Sequence, residues 1–137
     1  MADAAALLDL PLARAAALIR AGDLTSVKLT EAAIARAQTT QRLGNAFVEI
    51  FAEAALTRAE ALDRDLRRGH CHGPLHGIPL AHKDCLERVG KAMRVGSIVT
   101  EDTPGKTDAT VLTRLAAAGA VDLGRLHLNE MVAGPTG

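Results

Sequence analysis

Aromatic side chains are nearly missing from this chain: two phenylalanines, Phe47 and Phe51, and no tyrosine or tryptophan in 137 residues. A core built on packed rings is thereby excluded, and alanine and leucine must fill the interior, which suits close helix contacts. Cysteine is also scarce. Cys71 and Cys85 cannot make a disulfide framework, so reduced thiols and a cytoplasmic setting are expected. Net charge is absent, because sixteen basic and sixteen acidic residues cancel. No excess of one sign marks a surface for nucleic acid or an anionic membrane. The apolar runs are too short and interrupted to span a bilayer. Asp3 and Asp9 without a basic n-region are unlike a secretory signal.

What is present is ordinary for a globular domain, with 48% hydrophobic and 23% charged residues. One domain of this length can bury roughly two-thirds of its unfolded surface. The residues up to about 70 read as a helical region, and 71–137 as the start of an α/β core.

Pro11 suits the first turn of a helix carrying Leu12, Ala15, Ala16 and Ile19 at helical spacing, with Gly22 as its stop. Asp23-Leu-Thr-Ser26 supplies capping chemistry for a second helix with Val27, Leu29, Ala33, Ile34 and Ala37 inward. That helix is expected to fade in Gln38-Thr-Thr-Gln41. Asn45-Ala-Phe-Val-Glu-Ile50 is a short strand by composition. From Ala52 to Arg68 an amphipathic pattern places Ala55, Leu56, Ala59, Leu62 and Leu66 on one side and charges on the other. Glu87–Ser97 has no period and reads as a loop, and Thr103-Pro-Gly105 as a turn. Thr107 or Asp108 caps a helix through Val111, Leu112, Leu115 and Ala116, closed by Gly119. Ala120–Gly124 follows as a buried strand, and helix followed at once by strand is an α/β signature. His127–Val132 begins a further short helix, and Gly134-Pro-Thr-Gly137 is loop-like. The last strand has nothing after it to cover its second face, which predicts a fragment of a larger α/β domain.

The stretch Gly73-Pro-Leu-His-Gly-Ile-Pro-Leu-Ala-His-Lys-Asp84 holds the chemistry. Its glycines allow positive φ or close approach, and its prolines stiffen the lead into a strand from Ile78 to His82. Lys83 falls at or just past the strand end, where open α/β sheets present functional groups. Two roles fit a lysine there. It can snorkel, with its ammonium in water or paired with Asp84. Alternatively, partial burial lowers its pKa, and the neutral amine serves as a base that activates a hydroxyl nucleophile. Spacing does not decide between them.

The same stretch resembles, almost residue for residue, the lysine-bearing strand of the amidase signature family. Ala21–Ser26, Leu29-Thr-Glu31, Leu43–Val48, Gly96-Ser97, Asp108–Val111 and Ala117–Ala120 are similar to that family's motifs in order and spacing. The likeness runs from about Leu12 to Gly137, and it implies helices packed on a mixed β-sheet that is incomplete in this chain. It also implies hydrolysis of amide C–N bonds by a Ser–cis-Ser–Lys triad, with Lys83 as the lysine, a small-molecule amide as substrate and no metal or organic cofactor. Stand-alone amidases and the A subunit of glutamyl-tRNA amidotransferase share these motifs. In the family both serines lie in a Gly/Ser-rich segment further on. Here the only serines are Ser26 and Ser97, so the chain alone is expected to be inactive.

Departures from the pattern are Lys28 after Thr25, Met93-Arg94, and Gly124-Arg-Leu-His127. Met131 and Val132 match a region that approaches the substrate pocket in the family, where they predict an apolar wall. Two other functions compete. One is a non-catalytic module that pairs with itself or with a missing C-terminal part. The other is a metal site in His70-Cys-His72 with His76, His82 and Cys85, whose spacing matches no familiar zinc pattern.

Overall fold

Helix α1 (Ala4–Leu8) leads into α2 (Leu12–Ala21) in a computed structural model that describes residues 4–100 and 102–134. Pro11 stands at the N-cap of α2, one place earlier than expected, and Gly22 closes the helix with φ 81°. Asp23 then sends its N–H back to the Leu18 carbonyl at 3.0 Å. Ala15, Ala16 and Ile19 turn inward and meet Leu7, Leu24, Leu29 and Ile78 in a first core cluster.

Helix α3 (Ser26–Gly44) starts at Thr25, whose hydroxyl accepts from the Lys28 N–H at 3.1 Å. The expected fading at 38–41 does not occur. Thr39 and Thr40 donate their hydroxyls to the carbonyls of Ala35 and Arg36, both at 2.8 Å, so the polar residues stay helical while satisfied locally. Asn45 ends the helix in the left-handed region. Strand β1 (Phe47–Ile50) and helix α4 (Ala52–Arg67) follow. One charged residue of α4 lies on its buried side. Asp63 is buried, and its carboxylate accepts from the N–H groups of Ser26 at 2.7 Å and Val27 at 3.1 Å. It caps α3 from another helix.

Strands β2 (Pro79–Lys83) and β3 (Val121–Leu126) complete a three-stranded sheet in the order β1-β3-β2, with α5 (Thr110–Ala117) between them in sequence. β3 is antiparallel to β1 and parallel to β2. The last strand of the chain is therefore central. Val121 and Leu123 from its inner face join Ile34, Ala55, Ala59 and Leu62 in a second core cluster beneath α3 and α4.

Three local expectations change. Pro104 and Gly105 bridge to Ala92 and Val89 in extended pairs, so Thr103–Gly105 is not a free turn. Ala109 is the N-cap of α5, because the Asp108 carboxylate is spent on the Val89 N–H at 2.9 Å. His127–Val132 yields one 3-10 turn, Glu130–Val132, broken by positive φ at Met131 and Val132. Of the loop-like 134–137, residues 135–137 lie outside the described residues. Among the described residues no helix is long and apolar enough to cross a membrane.

Candidate functional site

The lead into β2 is tied to the end of α5. Leu75 and Gly77 donate to the carbonyls of Ala118 at 3.1 Å and Gly119 at 2.9 Å, and Val121 returns a bond to Ile78 at 2.9 Å. Two glycines make this contact fit. A Cβ on Gly73 would lie 3.0 Å from the Ala118 carbonyl oxygen. Gly77, at φ 77°, faces the Ser26 side chain, and a Cβ there would come within 2.8 Å of the Ser26 Cβ.

His76 pins the same turn to α4. Its Nδ1 accepts from the His72 N–H at 3.1 Å, which leaves Nε2 to donate to the Leu62 carbonyl at 3.1 Å. The ring is buried, and that burial holds its pKa below the ordinary value despite the bond to Leu62. His72 in turn sits 2.8 Å from Asp65, and this bond keeps the Asp65 carboxyl below its usual range. Among the described residues no group of three His, Cys, Asp or Glu side chains is placed to hold a metal ion. Of the clustered histidines, His72 and His76 are thus engaged in anchoring the turn.

Lys83 is the last residue of β2, paired in register with Leu126. It is exposed, and its Nζ donates to the His127 carbonyl oxygen at 2.7 Å. It does not pair with Asp84, as simple snorkelling allowed. The Asp84 carboxylate is buried and binds Arg125 Nη1 at 2.9 Å and the Arg94 N–H at 3.2 Å. Arg125 also donates Nη1 to the Ala92 carbonyl at 2.7 Å and Nη2 to Glu49 at 2.9 Å. Burial would raise the Glu49 pKa, but hydrogen bonds from Lys91 and Arg125 outweigh it and hold the carboxyl low. In the sequence Arg125 stood out only as part of the departure Gly124-Arg-Leu-His127, with no role given to it. Its signal was a long cation on a buried strand whose other charge is Asp122.

Ser97 is buried and donates its hydroxyl to Glu130 at 2.6 Å, and Ser26 is enclosed at the start of α3. Met131 and Val132 are exposed, with φ of 53° and 59°. On the other face of β2, a cleft of about 1100 Å³ is lined by His82, Glu49, Phe51, Arg88, Asp122 and the facing parts of α4 and α5. Lys83 does not line it. The cations there are committed: Arg88 to Asp122 at 3.0 Å, Lys91 to Glu49 at 2.5 Å and Arg58 to the Ala116 carbonyl at 3.3 Å. His82 titrates below its ordinary value because its partial burial, helped by the nearby Arg88, outweighs the opposing pull of Asp122.

The model of the amidase family matches residues 28–137, and the chain belongs to that family. It is 38% identical over 128 residues to AmiD of Mycobacterium tuberculosis, covering 93% of this chain and 27% of AmiD. With the A subunit of the glutamyl-tRNA(Gln) amidotransferase of Streptomyces coelicolor it shares 40% identity over 128 residues, 93% of this chain and 26% of that one. The peptide amidase of Stenotrophomonas maltophilia superposes with a TM-score of 0.81 at 36% identity, covering 90% of this chain and 26% of the amidase. The chain thus spans about a quarter of the length of the relatives it matches.

Proposed function

We propose that this chain forms part of one amidase domain and contributes Lys83 to amide hydrolysis by a Ser–cis-Ser–Lys triad. The observation that carries the reading is the placement of Lys83. It stands at the carboxyl end of a parallel strand, with an accessible Nζ oriented by one carbonyl at 2.7 Å. Family membership and the names of relatives that act on amides support it. In this reaction a neutral Lys83 amine accepts the proton of a bridging serine, which takes that of the nucleophilic serine as its oxygen attacks the amide carbon. The tetrahedral oxyanion collapses, the amine leaves with a proton, and water then hydrolyses the acyl ester. Neither Ser26 nor Ser97 can serve as nucleophile in place, since one is enclosed and the other bound to Glu130. The chain alone is therefore inactive, and Met131 and Val132 provide apolar contact to substrate in the completed site.

The test is a chimera in which this chain replaces the matching quarter of the Stenotrophomonas peptide amidase. Hydrolysis of a peptide amide is expected, and Lys83→Ala should lower kcat about 100- to 10,000-fold, the range of general acid–base contributions. Activity that survives Lys83→Ala sinks the assignment. A second reading, a non-catalytic module that pairs with another polypeptide, is favoured by the exposed Ile98, Val99 and Leu43. An inactive but folded chimera would favour it.

A further inference from the structure

We infer that Arg125 is a positioning residue for Lys83, acting through Asp84. The inference gives Lys83 its orientation, while the use of that orientation in amide hydrolysis rests on the functional reading above.

Arg125 lies on the central strand, in register with Glu49 on one side and His82 on the other. From there its guanidinium reaches three separate segments: Glu49 on β1, Asp84 just past β2, and the Ala92 carbonyl in the following loop. A planar fork can hold two carboxylates and a carbonyl at once, whereas an ammonium is a single point charge on a flexible stem. Asp84 is the residue that matters for Lys83. Its side chain is 2% exposed, and Arg125 provides its salt bridge. Its backbone N–H donates to the Leu126 carbonyl at 3.0 Å. One residue further along the chain, the His127 carbonyl receives the Lys83 Nζ. The peptide after Lys83 and the acceptor for Lys83 are thus both fixed to the strand that carries Arg125. If the clamp is released, Asp84 becomes a buried carboxylate without its cation and must move toward water. The Lys83 backbone moves with it, and the Nζ leaves the His127 carbonyl.

The chain has four lysines, Lys28, Lys83, Lys91 and Lys106, so each can be followed alone. Trace acylation of the intact chain with acetic anhydride, read by peptide mass spectrometry over about pH 7 to 11, reports the free-amine fraction at each lysine. In the native chain Lys83 should react about fivefold more slowly than the exposed Lys28 and Lys106, the effect of one typical net hydrogen bond. In Arg125→Lys the Lys83 profile should move to within about twofold of Lys106 while Lys28 and Lys106 stay put. A wild-type Lys83 profile in the folded variant overturns the inference, as does a parallel shift of all four lysines. If Arg125→Lys does not fold, Asp84→Asn removes the carboxylate charge that Arg125 holds, and the Lys83 profile in that variant decides in the same way. Acylation needs no amide turnover. An inactive chimera with the predicted Lys83 profile would therefore count against the functional reading and leave the positioning role intact.

Discussion

Asp84 and Arg125 form the most buried ion pair near the lysine, with side chains 2% and 13% exposed. Asp84→Ala leaves Arg125 with Glu49 and the Ala92 carbonyl only, and removes the carboxylate that accepts from the Arg94 N–H. The expected cost is roughly 3 kcal/mol, toward the lower end for breaking a buried pair, measurable by urea unfolding. A residue-scale gain is available nearby. Val95 and Gly96 turn with φ of 49° and 70°, closed by Ser97 N–H to the Arg94 carbonyl at 2.9 Å. Asparagine tolerates that region and a β-branched valine does not, so Val95→Asn should stabilise by about 1 kcal/mol in the same assay. The buried histidines set a pH dependence. His76 and His82 both titrate below 6.5 in the folded chain, so the unfolded chain binds more protons as pH falls past that value. Their contribution is complete above about pH 6.5, is lost progressively down to the lowered folded values, and is flat below them. Asp65, whose pKa is lowered, acts in a separate and more acid window. Replacing His76 with Gln should flatten part of the near-neutral slope in unfolding experiments run across pH.

At the scale of elements, the carboxylate of Asp63 joins two helices. It accepts two N–H groups of the first turn of α3 from a position on α4, favourable both as charge-assisted hydrogen bonds and as an anion at a helix N-terminus. Asp63→Ala should cost about 2 kcal/mol, and hydrogen exchange should quicken first in the amides of Ser26 and Val27. Gly77→Ala strains a positive φ and pushes a methyl group into the Ser26 side chain, at an expected cost of about 2–4 kcal/mol by thermal unfolding. These contacts also show what one chain can and cannot disclose. The periods of α2, α4 and α5, the β-branched and aromatic composition of β1, and the glycine stops were legible because each signal is local. The Lys83 strand was legible because its glycines, prolines and lysine lie within twelve consecutive residues of one motif. Asp63 gave no local signal of its capping role, since its partners are 36 and 37 residues away. Arg125 was hidden likewise, being 41 residues from Asp84 and 76 from Glu49. Long-range pairing also explains the miss at Asp108, a good capping residue that a distant backbone N–H claimed first.

For the whole molecule, the balance lies between a well-filled inner layer and a sheet with little cover elsewhere. Helices α3 and α4 close one face of β3, where Val121 is fully buried. Strands β1 and β2 each form an outer edge of the three-stranded sheet, and such edges accept further strands. Apolar side chains add to this. Ile98 is 94% exposed and Val99 74%, beside each other in the loop after the Arg94–Ser97 turn, and Leu43 is 93% exposed at the end of α3. Contiguous exposed apolar surface favours association once concentration supplies a partner. With zero net charge, there is no long-range repulsion to oppose it. The isolated chain should therefore self-associate, seen in sedimentation velocity as a weight-average coefficient that rises with loading concentration. The double substitution Ile98→Glu with Val99→Glu should reduce that rise. Both side chains stand in solvent, so the thermal midpoint should stay nearly unchanged, surface substitutions costing about 0.5 kcal/mol or less. If association is unaffected while the fold is retained, the open strand edges carry it instead, and a proline in the β1 edge becomes the variant that separates the two. A chain that stays monomeric at every loading, with a single cooperative melt, would show that the three strands and their packed helices are sufficient cover by themselves.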